Sequence, residues 1–163
     1  MGKLTPLLGI LVVSLAWVAP AAAQTTEIEM LTKADALRIF SMTRQQWDGN
    51  ISVLVAKGAA TRTYPEASGL VGMLMQTPET TVITRLDYSK GDTRPAFAQM
   101  AFTLPASWST LFSDEATRKT IDQIKRELAP EFEVQGHMQR LRSGPTFFFI
   151  ITERARSEAV KKR

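Results

Sequence analysis

Five consecutive residues near the C-terminus, Phe147-Phe148-Phe149-Ile150-Ile151, carry no polar side chain. Successive side chains of a strand point to opposite sides of the sheet. A strand with one solvated face therefore alternates apolar and polar residues, and this run does not. The plainest expectation is an interior strand with helices over one face and other structure over the second. Exposing the run forgoes roughly 1.5–3 kcal/mol of burial for each large side chain and leaves an aggregation-prone segment. The second expectation is that one of its faces packs on another copy of the chain, because few helices are available to cover both.

Periodicity supplies those helices and the remaining strands. Thr43 and Gln46 form a capping-box pair, and Met42 with Trp47 fits the hydrophobic staple across it. Trp47, Ile51 and Leu54 then recur at helical spacing, which predicts a helix over 44–57. The stretch Asp48-Gly49-Asn50 argues for a turn instead. In that reading the helix is 34–47 and "ISVLVA" is a strand, and "ALRIFSM" before them fits either type. From Gly69 the period becomes two. "GLVGMLMQ", "TTVITRLDYS" and "AFAQMAFTLP" read as three antiparallel strands. Their alternation, Ile83-Arg85-Asp87 on one side and Phe97-Gln99-Ala101 on another, predicts a partly solvated face. Ser113 caps a helix over 114–128, with Thr117, Ile121, Ile124 and Leu128 on one side and Pro130 beyond its end. "EFEVQGHMQRL" and "TFFFIITER" form a closing hairpin. The expected fold is α+β: one small domain, a mainly antiparallel sheet of about five strands with two helices, in the order α-β-β-β-α-β-β.

The N-terminus has secretory order: Lys3, an apolar core over 7–18, then Ala21-Ala22-Ala23. That core falls well short of the ~20 residues needed to span a bilayer. Residues 1–23 are expected to be a cleaved signal peptide, with 24–153 the domain and 154–163 a basic tail. The exported chain should be periplasmic or extracellular and, after cleavage, not membrane-spanning. The chain has no cysteine, so it holds together by packing without disulfides. A chain of this size buries about two-thirds of its unfolded surface, enough for a core.

Charge separates along the same boundaries. The chain has 20 Lys+Arg against 16 Asp+Glu. Setting aside Lys3 and the tail (five basic, one acidic) leaves 14 against 15, so the domain is nearly neutral. Nucleic-acid binding, which calls for a basic face, is not expected. Arg154, Arg156, Lys161, Lys162 and Arg163 suit weak contact with an anionic envelope surface, although the tail lacks the aromatic or leucine residues of an inserting helix.

Chemistry-bearing motifs are sparse. G-x-S-x-G, H-E-x-x-H and phosphate-binding glycine loops are all absent. His137 is the single histidine, so a multi-histidine zinc site is ruled out. "DYSKGD" has turn chemistry and lacks the length of a calcium loop. No cofactor or metal is expected. Met73, Met75, Met100 and Phe148 are the candidates for an adaptable apolar pocket or an interface. The expectation is a non-enzymatic binding or accessory protein, self-associating through its sheet as a homodimer. The alternative is a small hydrolase or isomerase using Asp, Glu or Tyr side chains without a recognisable motif.

Overall fold

A computed structural model describes residues 30–63, 69–77 and 80–154. The signal-peptide segment and, within the tail, Arg156, Lys161, Lys162 and Arg163 lie outside the described residues. Two helices come first, α1 (Lys33–Ser41) and α2 (Arg44–Ala56). Each begins with a capping box. In α1 the Asp35 N–H donates to the Thr32 hydroxyl at 3.2 Å, and the Thr32 N–H donates to the Asp35 carboxylate at 3.1 Å. In α2 the Gln46 N–H donates to the Thr43 hydroxyl at 3.2 Å, and the Thr43 N–H donates to Gln46 Oε1 at 2.8 Å. Together such caps satisfy N–H groups that a helix start otherwise leaves unpaired.

The 44–57 reading is therefore correct in outline, and "ISVLVA" is helical. Helix α1 is an element beyond the two expected. Asp48-Gly49-Asn50 stays helical because Asp48 has work to do there. Its carboxylate pairs with Arg62 at 3.3 Å and with Arg44 at 3.7 Å. On the opposite side Trp47 and Ile51 are buried, and the Trp47 indole N–H donates to the Ile39 carbonyl.

The strands are β1 (Thr61–Arg62), β2 (Leu70–Gln76), β3 (Thr81–Asp87), β4 (Phe97–Thr103), β5 (Phe132–Leu141) and β6 (Gly144–Glu153). They form one six-stranded sheet, antiparallel throughout, in the order β1-β2-β3-β4-β6-β5. Between β4 and β5 come a 3-10 helix (Ala106–Leu111) and α3 (Asp114–Leu128), the latter capped by Ser113. The chain passes over one strand position to lay β5 at the edge, then turns back so that β6 fills the gap. The apolar run thus occupies an interior strand. The architecture is α+β, with a short sixth strand, β1, in addition to the five expected.

One face of the sheet carries the whole core. Phe147, Phe149 and Ile151 of β6 are at most 1% exposed. They join Met73 of β2, Met100 and Phe102 of β4, and Ile39, Trp47, Ile124 and Leu128 from α1, α2 and α3 in a single cluster. Edge-to-face ring pairs run through it, Phe112 to Phe147 at 5.0 Å and, between adjacent strands, Phe102 to Phe149 at 6.1 Å between centroids. A further pair, Phe40 with Phe132, docks α1 on the start of β5 at 5.2 Å.

The expectation of a strand covered on both faces fails here. Phe148 is only partly buried and Ile150 is 40% exposed. The described helices all pack on the side of Phe147 and Phe149, so alternation along β6 sends Phe148 and Ile150 the other way. The apolar run is two stripes with different surroundings. The solvated face anticipated for β3 and β4 continues across β6.

Candidate functional site

The register of the sheet assembles the open face row by row. Leu74, Ile83, Ala101, Phe148 and His137 are successive cross-strand partners from β2 to β5. Next to them run Gly72, Arg85, Gln99, Ile150 and Gln135, paired in the same way. Cross-strand neighbours on one face lie within ~4.5–5.5 Å at Cβ, close enough to act as one surface.

Ala101 is the small member of its row. Ile83 and Phe148 stand to either side of it, and a hollow of about 270 Å³ opens between them. Apolar side chains from Ile83, Ala101, Phe148 and Ile150 form most of its walls, with Arg85, Gln99 and His137 as polar members. His137 lies flat on Phe148, with ring centroids 5.0 Å apart and planes 14° from parallel. This stack fixes Phe148 from the edge-strand side. Arg85 reaches Gln99 Oε1 at 3.5 Å, the outer limit of a hydrogen bond, so its guanidinium is held beside the hollow.

Beyond the hollow the face carries charge. Asp87, paired with Leu70 and Phe97, and Glu133 lie toward one end of the strands. Toward the other, Thr103 and Thr146 share a hydroxyl–hydroxyl bond of 3.1 Å, and Thr146 is buried.

Of the four pocket or interface candidates from sequence, all among the described residues, Phe148 alone presents its side chain to this face. Met73 and Met100 are buried in the core on either side of Thr84, their cross-strand partner. Met75, two residues along from Met73, packs partly buried against that same core. The three methionines and Phe148 therefore do not line one pocket, although Met100 borders the hollow from within the sheet. Arg154 is exposed, and its backbone N–H donates to the Glu131 carbonyl at 2.9 Å.

Ile83, Arg85, Gln99, Ala101 and Ile150 were not singled out as a site. Their signal was the alternation in β3 and β4, which sets Ile83 with Arg85 and Gln99 with Ala101; the register of the two strands then brings the four to one side. Adding Ile150 requires knowing that β6 pairs with β4.

Groups with displaced ionisation lie elsewhere. Burial, reinforced by Asp48 and Asp92, holds the Tyr88 phenol well above its ordinary range, and its hydroxyl donates to the Met42 carbonyl at 2.7 Å. That bond ties the end of β3 to the junction of α1 and α2. The Glu131 carboxyl is lowered by its hydrogen bond from Lys33, 2.7 Å away, and that of Glu115 by Lys119. Both are surface pairs of the modest kind. Among the described residues no group of three or more His, Asp or Glu side chains is placed to hold a metal ion, and no helix is long and apolar enough to cross a membrane.

What the arrangement offers chemically is a shallow apolar surface with a cation and an aromatic stack at its margin. Comparisons with known protein families, curated proteins and solved structures return no match.

Proposed function

We propose that this chain is an exported, non-enzymatic binding or accessory protein, and that the open face of its sheet is the contact surface. One observation carries the reading. The row Leu74–Ile83–Ala101–Phe148 and the adjacent Ile150 present apolar side chains on the face opposite to all the described helices. Surface apolar residues scattered singly are ordinary, but a contiguous patch rimmed by polar groups marks an interaction site. Export is supported by the secretory order of residues 1–23. Arg154, Arg156, Lys161, Lys162 and Arg163 add weak attraction toward an anionic envelope surface, at about 1 kcal/mol per basic residue near such a surface.

Site-specific photo-crosslinking in the producing cell tests this. A benzophenone side chain at Phe148 should give discrete crosslinked products. The same group at Lys119, which is exposed on α3, should give only background. Equal, diffuse labelling at both positions would remove the open face as a contact surface.

A further inference from the structure

We infer that the occupant of the open face is a second copy of this chain, packed sheet to sheet so that Ile150 of each copy enters the hollow above Ala101 of the other. The inference rests on the reading of this face as a contact surface and names what it contacts.

The dimensions of the hollow argue against a small ligand. Sites that enclose a small molecule run to about 300–1,000 Å³ and bury most of its surface. This one holds about 270 Å³ and lies open along the face of the sheet. It suits a side chain delivered by an opposing surface. Ile150, an apolar side chain of the same face that is 40% exposed, stands beside it. A knob next to a hole on one surface is the requirement for a two-fold contact, in which each copy supplies both members.

Area and charge agree. Strands β2, β3 and β4 each present seven residues, and five strands from β2 to β5 form the face. At about 3.3 Å per residue and 4.8 Å per strand the footprint is roughly 550 Å². Two copies then bury roughly 1,100 Å², just beyond the ~1,000 Å² that a specific interface should clear. The margin carries both signs, Arg85 against Asp87 and Glu133, around an apolar centre. A face of one sign would repel its own copy, whereas an apolar core with a mixed polar rim is ordinary interface anatomy. Two sheets stacked in this way sit ~10 Å apart, the spacing of a β-sandwich.

Sedimentation equilibrium of the purified protein should return twice the chain mass. Ile150→Lys should weaken association on the order of a hundredfold, as loss of a central desolvated contact does, while its far-UV circular dichroism stays unchanged. A second route avoids a charged substitution. The chain has no cysteine, so Ala101→Cys and Ile150→Cys chains can be prepared separately and mixed. A bis-maleimide long enough to bridge the ~10 Å between stacked sheets should then form a 101–150 crosslink between chains.

A wild-type protein of single-chain mass at every concentration tested would overturn the inference. So would an Ile150→Lys dimer of undiminished affinity, or a mixture that forms no 101–150 crosslink. If the wild type is single while Phe148 crosslinks to a different protein, the second copy is excluded and the contact surface stands. If neither association nor crosslinking occurs, both readings fall.

Discussion

The ring of Phe149 lies across the bare Cα of Gly136, its cross-strand partner, so that a β-carbon there would sit 2.9 Å from two ring carbons. Ile121 of α3 closes the same space at 3.1 Å. The glycine lets an aromatic ring and a helix both approach the sheet at one point. Through this contact the core side of β6 is locked to β5 and α3, while Phe148, one residue earlier, stacks on His137 on the other side of the sheet.

Gly136→Ala should therefore overpack the core. The methyl group must displace the Phe149 ring or Ile121, at a cost of about 1–3 kcal/mol. Urea unfolding of the variant checks this, and an unchanged midpoint would mean the ring is free to move aside.

Thr84 should respond in the opposite sense. Its hydroxyl is buried between Met73 and Met100 and has no hydrogen-bond partner among the described residues. A buried polar group without a partner costs about 1–3 kcal/mol, and an isosteric apolar replacement recovers part of it. Thr84→Val is expected to raise the thermal midpoint. A lower midpoint would show that the hydroxyl is satisfied.

Tyr88→Phe removes the bond to the Met42 carbonyl and should cost about 0.5–1.5 kcal/mol at neutral pH. Burial raises the phenol's folded pKa, so the stability linked to its neutral form is complete below its unfolded value near 10 and is lost as pH rises toward the folded value. The wild type's advantage over Tyr88→Phe should shrink from about pH 10 upward. An advantage that stays constant with pH in that range would show that the phenol ionises equally in both states.

The sequence revealed elements more readily than their surroundings. Helix α3 was legible to the residue, because Ser113 and Pro130 bracket an unbroken apolar stripe. Helix α1 was missed as a separate element, although Thr32 and Asp35 announce its start as plainly as Thr43 and Gln46 announce that of α2. The apolar run was recognised as an interior strand, but local composition does not say how many layers cover a sheet. Phe148 and Phe149 read alike, and only the placement of all the described helices on one side distinguishes them. Likewise Met73 and Met100 looked available for a pocket because nothing local shows which side of the strand the helices take. The site emerges from pairings of β4 with β6, which are far apart in sequence.

The most direct measurement compares Phe148→Ala with Phe149→Ala by urea unfolding at a dilution where the chain is single. Phe149 is 1% exposed, whereas Phe148 is partly solvated on the open face. Phe149→Ala should lose about 3–5 kcal/mol, and Phe148→Ala only a fraction of that. The gap should narrow as concentration rises and association begins to protect Phe148. Equal losses at every concentration would contradict the account, because both faces of β6 would then be covered within one chain.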